Sequence, residues 1–450
     1  MKTLTVMMLG GLLSITSGCA LDAIDGASAD ETSDSEDAIS SFELLRGSYG
    51  GYGDHRGDHD GGYEDHHGHH GHHDHHGHCD HHGHHGHGHD HGNGSPAVRG
   101  ALSRGADRLA ALQADTIGDN ARNGLNDTDP DDGGWDFTIP ASAPSHTTSK
   151  SPTNLFGEIG MGEWAALDSG NASNRALTVT LDAGTAMQHD PDIDSPPDFA
   201  FGVLLADLAN NPGFAQIARQ HYDAKLVAFG GAVGLGTAIQ TARHAGHDDG
   251  AIGYDLGWLV LSAAALDTVF PNAGYDADAD TYAGLVVDDL TAAAPLFNFH
   301  DTTEGSYVIG LAWSQVAAAR LNERTLLGDL RTQLLGQQHA NGAFALNSAV
   351  PADDIQSTAL ALSALALTGR ATTASQQAAT RTANYLLSKQ AASGGWPVSA
   401  TLELPLVDAE VMLSLMLSQT AAGQDGVVPG PGNPLAATTR TAPTVITPAQ

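Results

Sequence analysis

The sequence predicts an all-α fold in which two concentric layers of helices form the folded body, residues 97–420. Segments of roughly 12 to 17 residues, rich in Ala and Leu, recur there between clusters of Gly, Asp and Asn. Runs with the alternation of a half-buried strand are nearly absent. The segments also differ in kind, because 353–368 is apolar almost all round whereas 375–390 carries Gln, Thr, Arg and Lys. Alternating buried and half-exposed helices indicate an inner and an outer layer.

The sequence contains several segments with the length and composition of helices. They are 98–113, 154–168, 198–209, 213–226, 253–268, 281–293, 304–321, 324–338, 353–368, 375–390 and 405–419. The segment 176–181 is ambiguous between helix and strand. Residues 421–450 are rich in Gly, Pro and Thr and are predicted to be a disordered tail.

Composition excludes several classes of protein. The chain has 450 residues, with 19 Lys plus Arg against 53 Asp plus Glu, and a net charge of −34. So negative a chain repels phosphate backbones, and nucleic acid is therefore not an expected partner. Two cysteines cannot build a disulfide framework or a cysteine-rich zinc fold. Of the 25 His, 18 lie between His55 and His91, so the chain divides into a biased tail and a body.

The first 18 residues have the features of an export signal: a basic start, an apolar run from Leu4 to Leu13, and small residues before Cys19. The segment 15–19 resembles a bacterial lipobox, although Thr16 stands where that family usually has Leu. The resemblance implies lipidation of Cys19, a membrane partner through the lipid anchor, and a place in the cell envelope. Ala20 after the cysteine, rather than Asp, suits the outer membrane. An ordinary signal peptide is the alternative reading.

Residues 19–96 form an acidic spacer followed by a His-rich tract, and their composition predicts disorder. Neutral imidazole is a good ligand for Zn, Ni and Cu, so the tract is predicted to hold divalent metal at several moderate-affinity sites. A hydrophilic linker is the alternative. The candidate ligands are His66, His67, His69, His70, His72, His73, His75, His76, His78, Cys79, His81, His82, His84 and His85.

A short motif recurs in the body, with a Gln at a helix end followed by a Gly-containing turn and an aromatic residue. The three copies pair Gln390 with Trp396, Gln338 with Phe344 and, after a long insertion, Gln113 with Trp135. The Gln side chain can bond the backbone of the turn, and the aromatic ring packs the turn onto the next helix. The motif therefore predicts one repeated helix-to-turn junction.

The copy at 381–396 reads Arg-x3-Tyr-Leu-x3-Gln-x3-Gly-x-Trp, which closely resembles the QW repeat of squalene–hopene cyclases and protein prenyltransferases. Thr382 stands where that family has Gly or Ala. The resemblance implies an α/α toroid of about six helical hairpins, inner helices surrounding a central cavity. An α-solenoid is the main alternative. Prenyltransferase zinc chemistry is not implied, because the body has no Cys.

Asp129-Pro130-Asp131-Asp132 matches the Asp-x-Asp-Asp motif of class II terpene cyclases, whose middle acid protonates the substrate. Here the motif lies in a loop rich in Gly, Pro and Asp, and only 6% of residues are aromatic. Asp129, Asp131 and Asp132 are therefore weak catalytic candidates, and a turn that binds Ca²⁺ through hard oxygens is the alternative.

Other Asp-rich segments precede predicted helices. Asp353 and Asp354 are weak catalytic candidates, and capping of the helix N-terminus is their simpler role. The alternating acids of 276–280 resemble a calcium loop but lack its later Gly and Glu. Segments 247–249 and 300–304 likewise place acidic residues and a His just before or at the start of a predicted helix. If such turns meet at one rim, they form an anionic ring suited to Ca²⁺, to cationic ligands, or to sugar cleavage by paired carboxylates.

These observations predict an exported, lipid-anchored toroid whose central cavity binds a small-molecule, lipid or glycan ligand, and they leave open whether it is an enzyme. A glycan hydrolase or lyase would show two carboxylates about 5 to 10 Å apart across a cleft. A terpenoid-cyclase-like enzyme would show a closed apolar cavity with a buried acid and several aromatic rings. A shallow, Ala-lined centre would indicate a non-enzymatic module.

Overall fold

A computed structural model of the chain describes residues 95–113, 135–145, 156–168, 180, 183–184, 195–208, 211–368 and 372–420. Four sequence predictions therefore lie outside the described residues: the export signal with Cys19, the His tract, the segment Asp129 to Asp132, and the C-terminal tail. The described residues belong to one compact unit.

Twelve long helices are present in the described ranges. They are α1 (Pro96–Leu112), α2 (Phe156–Asp168), α3 (Pro196–Leu208), α4 (Pro212–Phe229), α5 (Ala232–Ala245), α6 (Gly250–Val269), α7 (Tyr275–Thr291), α8 (Tyr307–Arg320), α9 (Arg324–Gly336), α10 (Ile355–Leu367), α11 (Thr373–Lys389) and α12 (Pro405–Thr420). The short strands are β1 (Ile139–Pro140), β2 (Phe344–Asn347), β3 (Val350–Asp354) and β4 (Leu402–Glu403). They form two antiparallel pairs, β1 with β4 and β2 with β3.

Six helices form a closed inner ring. Each packs against the next in the order α2, α3, α6, α8, α10, α12, and α12 packs back against α2. The last contact closes the ring, and it is a close approach because a Cβ on Gly162 would lie 2.5 Å from the Cα of Ala409. The inner helices are apolar on nearly every side, and the ring buries large side chains such as Trp258 and Trp313.

The other six helices, α1, α4, α5, α7, α9 and α11, pack outside this ring, each against one or more inner helices. They are amphipathic, with one buried face and a polar outer face; α11, for example, buries Ala378, Thr382 and Leu386. The predicted α/α toroid, an inner ring of helices surrounded by an outer layer of helices, is therefore the fold of the body.

The repeated Gln turns join neighbouring outer helices. Gln338 Nε2 donates to Ala378 O (2.9 Å) and to Thr382 Oγ1 (2.8 Å) on α11, and Arg381 donates back to Gln338. Gln390 Nε2 donates in the same way to Ala101 O (2.8 Å) on α1. The last repeat thus binds the first helix, which closes the outer layer at this point.

The aromatic members of the motif pack as expected. Trp396 Nε1 donates to Leu386 O (2.8 Å), and Trp135 Nε1 donates to Leu109 O (2.9 Å). Gln113 and Trp135 form an isolated antiparallel bridge, and Phe344 begins β2 as a fully buried side chain. The motif is therefore a packing junction between helices.

Three elements differ from the sequence prediction. The Gly-rich segment at 230–236 contains the start of α5, which the prediction missed because glycine disfavours helix; tertiary packing against α6 and α7 overrides that preference. The hairpin β2–β3 was also missed. Finally, α7 begins at Tyr275 instead of 281, so the acids of 276–280 lie inside an outer helix and not in a turn.

Helix α6 is also longer than the predicted helix 253–268. It is long and apolar enough to cross a membrane by length and composition alone. In the described structure 72% of that span is buried, because α6 belongs to the inner ring and packs against α3, α7 and α8. Burial among other helices accounts for its apolar composition.

Candidate functional site on the ring axis

Four polar side chains from four of the six inner helices meet inside the ring. They are Glu158 on α2, Tyr254 on α6, Gln356 on α10 and Glu410 on α12. The hydroxyl of Tyr254 bonds the Glu158 carboxyl, and it lies 3.2 Å from Glu410 Oε1. Gln356 Nε2 donates to the same Glu410 oxygen at 3.3 Å. Because α6 and α12 lie opposite each other in the ring order, these contacts lie at its axis. We call this group the axial cluster.

The axial cluster requires a shared proton. A tyrosine hydroxyl has one hydrogen, so it can donate to only one of the two carboxyls that contact it. The other carboxyl must be protonated to donate to the hydroxyl oxygen. Burial raises the pKa of Glu158 to about 7, and burial together with the Glu158 charge raises the pKa of Glu410 well above its ordinary value. Glu410 is thus the protonated partner near neutral pH.

A small cavity adjoins the axial cluster, at the N-terminal ends of several inner helices. Glu158, Pro196, Gln356 and Leu406 line it, and each lies in the first turn of its helix. Unbonded N–H groups and the helix dipole give such ends a partial positive charge, which lowers the cost of a nearby carboxylate. The free space is about 10 Å³, close to what one water molecule occupies.

Aromatic rings form one side of the site. Trp258 lines the cavity, and its ring centroid lies 4.8 Å from that of Trp313. The Tyr254 ring packs edge-on against Trp313, with centroids 5.1 Å apart. The two tryptophan rings pack against the Tyr254 ring and so hold its hydroxyl between the two carboxyls.

An ion pair forms another side. Arg243 Nε donates to Asp255 Oδ2 (2.6 Å) and its Nη2 donates to Asp255 Oδ1 (3.0 Å), while Asp248 Oδ2 lies 3.5 Å from Nη1. Arg243 and Asp255 both line the cavity. The guanidinium is thus engaged by two carboxylates, and its charge is mostly compensated before any ligand is considered.

The sequence-predicted acids Asp353 and Asp354 lie beside this site and have different roles. Asp354 caps α10, accepting a hydrogen bond from Ser357 N at 2.6 Å, as the capping interpretation predicted. Asp353 lies in β3 and accepts from Asn341 Nδ2 at 2.7 Å, and His339 Nδ1 also lies 2.7 Å away. These bonds lower the pKa of Asp353, whereas burial raises the pKa of Asp354. Neither contacts the axial hydroxyl.

The predicted calcium segments are distributed around the body. Arg320 donates to Asp276 (2.5 Å) and to Asp280 (2.7 Å), so an arginine already compensates these carboxylates. His244 Nδ1 lies 2.9 Å from Asp249 Oδ1, and Asp301 accepts from Thr303. No group of three or more His, Cys, Asp or Glu suited to a metal ion is found among the described residues. Calcium binding there stays a prediction.

A second buried acid group lies where α1 meets the end of the chain. Arg108 donates to Glu403 through Nε (2.7 Å) and Nη2 (2.9 Å), and to Ala143 O (2.6 Å). Asp408 accepts from Trp396 N at 2.5 Å. Burial and the nearby Glu403 charge raise the pKa of Asp408 well above its ordinary value. We call Arg108, Glu403 and Asp408 the seam cluster, because it joins the first helix to the last.

Sequence reasoning missed the axial cluster. Glu158, Tyr254, Gln356 and Glu410 are separated along the chain and belong to no motif. The available signal was a polar residue inside an apolar helix, such as Glu410 in 405–417, because burial of a carboxyl needs a compensating reason. Without the ring order, nothing in the sequence brings these four positions together.

The geometry separates the function classes only in part. The centre has a buried acid and several rings, as expected for a cyclase, but the cavity holds about one water and not an isoprenoid. Two carboxyls face each other, as in a glycosidase, but both contact the same Tyr254 hydroxyl, which lies between them. The described centre is not the shallow, Ala-lined surface of an inert module either.

No protein-family model and no curated protein sequence matches the chain. Among solved structures it is similar to a type II terpene cyclase from Scytonema in complex with geranylgeranyl dihydroxybenzoate (13% identity, TM-score 0.44, covering 72% of this chain and 97% of that one). It is also similar to an unsaturated glucuronyl hydrolase from Bacillus sp. that degrades glycosaminoglycan (13% identity, TM-score 0.44, covering 71% and 95%). Both proteins are α/α toroids, and at this identity neither passes its substrate or its reaction to this chain.

Proposed function

We propose that the chain is an exported, lipid-anchored toroid protein that binds an extracytoplasmic ligand at the axial cluster. One observation carries the proposal: two buried carboxyls, Glu158 and Glu410, meet on the ring axis with one tyrosine hydroxyl between them and a cavity beside them. An axis where inner helices converge is where a ring-shaped fold gathers side chains from many parts of the chain.

Energetics support a functional role for the axial cluster. A buried carboxyl costs free energy unless it is fully hydrogen-bonded, and apolar residues of similar size would often stabilise the ring more. Glu410 is only 4% exposed, and its Oε2 atom has no hydrogen-bond partner in the described part of the chain. Groups that weaken a fold and have shifted pKa values concentrate at functional sites.

The test is a thermal-denaturation screen of the purified mature protein with representatives of the ligand classes: sugars and glycan fragments, isoprenoids and lipids, and small organic ions. We expect at least one class to raise the melting temperature of the wild type but not that of Glu158→Gln, because Glu158 lines the cavity. Glu323→Gln, on the exposed start of α9, is the matched control. If no class stabilises the wild type, or if a ligand stabilises Glu158→Gln equally, the axial cluster is not the binding site.

The anchor at Cys19 is proposed on the sequence of the leader. Cells that express the protein and are fed a labelled fatty acid should label the wild type but not Cys19→Ala, and the wild type should fractionate with membranes. Equal labelling of the two proteins would contradict the anchor, and a soluble exported product would support the ordinary signal peptide.

Metal binding by the His tract is a separate proposal, supported by imidazole chemistry. Calorimetric titration of the mature protein with Zn²⁺ should show several moderate-affinity sites. A variant lacking residues 55–91 should lose these sites, because the deletion removes 18 of the 25 His. No heat with the wild type, or the same isotherm for both proteins, would end this proposal.

A further inference from the structure

We propose that the group bound beside the axial cluster is an ammonium group, either free ammonium or the head of a primary amine. The inference rests on the proposed function and specifies the chemistry of its ligand. The size of the cavity, its hydrogen-bond acceptors, its aromatic rings and its charge each support this proposal.

The first support is size. The cavity of about 10 Å³ is filled by a species as large as one water molecule. Ammonium is of that size, whereas a carboxylate, a phosphate or a sugar ring is larger. The site therefore selects a single polar head rather than an extended molecule in the described conformation.

The second support is the balance of donors and acceptors. Glu158 lines the cavity, and only its Oε1 atom makes a hydrogen bond within the described residues. An ammonium group supplies three or four N–H donors, while a water supplies two, so ammonium is the better donor to the remaining acceptor of Glu158.

The third support is the aromatic side. Trp258 lines the cavity and packs against Trp313 and Tyr254 with centroid distances of 4.8 and 6.5 Å. A cation within about 6 Å of an indole face is attracted by the negative charge of the ring face. A buried carboxylate together with aromatic rings is a combination that binds organic cations.

Charge excludes an anion. Helix N-termini and Arg243 would favour one, but Arg243 is already bonded by Asp255 and approached by Asp248. The Asp255 carboxylate is likewise bonded by Arg243, which leaves the Glu158 carboxyl as the uncompensated acid of the lining. This carboxyl, when ionised, repels an anion and attracts a cation.

Binding must depend on pH, because the cation takes the place of a proton. The titratable or charged groups near Glu158 are Tyr254, Asp255, Arg243 and Glu410. The charge of Asp354 in turn raises the pKa of Glu410. Burial raises the pKa of Glu158 to about 7. Below that pH the carboxyl is neutral and attracts ammonium weakly; above it, the carboxylate is available. Affinity should therefore rise as pH increases from about 6 to 8.

The test is calorimetric titration of the mature protein at pH 8 with ammonium, methylammonium and tetramethylammonium chloride, and with KCl at equal ionic strength. Ammonium or methylammonium should bind, while tetramethylammonium, which has no N–H donor, should not. Glu158→Gln should weaken the affinity at least about 30-fold, whereas Glu323→Gln should leave it unchanged. Glu410→Gln is a second variant for the case in which Glu158→Gln does not fold.

Four outcomes overturn the inference. No heat with any amine means that the cavity holds a water only. Equal binding of potassium means a site for monovalent metal ions. Equal binding of tetramethylammonium places recognition on the rings outside the cavity, and unchanged affinity in both axial variants places it elsewhere. If amines fail but a sugar or lipid stabilises the wild type and not Glu158→Gln, the proposed function stands and only the ammonium assignment falls.

Discussion

The axial cluster and the seam cluster each bury two carboxyls, but they compensate them differently. In the seam cluster, Arg108 makes two hydrogen bonds to Glu403, and both side chains are at most 3% exposed. In the axial cluster, no arginine or lysine bonds either Glu158 or Glu410 among the described residues, and a tyrosine and a glutamine take that position. One group is a neutralised ion pair; the other depends on a proton.

This difference indicates a structural role for the seam cluster and a functional role for the axial cluster. The seam cluster joins α1 to the strand before α12, and its guanidinium compensates one charge permanently. The axial cluster has no such fixed positive charge bonded to its carboxyls among the described residues, and it lies beside a cavity. Variants should therefore divide cleanly: seam variants lose stability, while axial variants lose binding and pH dependence.

The largest effect is expected for Arg108→Met. Removing the guanidinium leaves the Glu403 carboxylate buried without its partner, which costs about 3–5 kcal/mol of unfolding free energy. Urea denaturation of Arg108→Met and of Arg324→Met, a change at an exposed arginine, measures it. An equal, small loss in both variants would show that the seam cluster does not fasten the ring.

The next effect is the pH dependence contributed by Glu158, whose pKa is raised from its ordinary value of 4.5 to about 7. Between these values the folded chain keeps a proton that the unfolded chain has lost, so stability falls as pH rises and the loss is complete above pH 7. The difference amounts to about 3 kcal/mol. Urea denaturation from pH 4.5 to 8 should show this loss in the wild type relative to Glu158→Gln. Parallel curves for the two proteins would contradict the raised pKa.

A smaller effect is expected for Gln390→Ala, which removes the bonds from the last repeat turn to Ala101 on α1 and to Gly394. Leaving these part-buried carbonyls without their donor costs about 1–2 kcal/mol. Chemical denaturation should show the loss, and Gln377→Ala on the exposed face of α11 should not. No difference between the two would mean that the turn does not help to close the outer layer.

The smallest effect is expected for Glu410→Gln. The carboxyl is already protonated near neutral pH, so an uncharged amide of the same shape changes stability by less than about 1 kcal/mol at pH 7. Glu403→Gln, the corresponding change in the seam cluster, should cost several times more because it leaves Arg108 buried with less compensation. Similar losses in the two variants would remove the distinction between the clusters.

Much of the fold was predictable, because it depends on local patterns. The apolar character of 353–368 and the half-exposed character of 375–390 identified an inner and an outer helix, and the Gln-to-aromatic motif located the junctions. The start of α5 was missed because Gly234 and Gly236 lower helix propensity, whereas close packing next to Leu285 needs a small residue at Gly236. Helix propensity depends on the local sequence and does not include this tertiary contact.

The candidate site was not predictable in the same way. Clusters of Asp in turns drew attention, yet Asp354 is a cap and Asp276 and Asp280 are bonded by Arg320. The axial residues are isolated polar positions in apolar helices. Their chemistry arises from the ring order, which places Tyr254 opposite Glu410, and that order is a long-range property of the fold.

The most direct test of the distinction between the axial cluster and the seam cluster is an infrared titration of the carboxyl groups in the wild type and in Glu158→Gln. Protonated carboxyls absorb apart from carboxylates, so the difference between the two proteins isolates Glu158. We predict that this difference titrates near pH 7. The protonated-carboxyl band of Glu410, identified by its loss in Glu410→Gln, should persist to higher pH. A Glu158 signal that titrates at its ordinary value of 4.5 would contradict the raised pKa of Glu158, and a Glu410 signal already lost below neutral pH would contradict the shared proton and, with it, the assignment of the ring axis as the functional site.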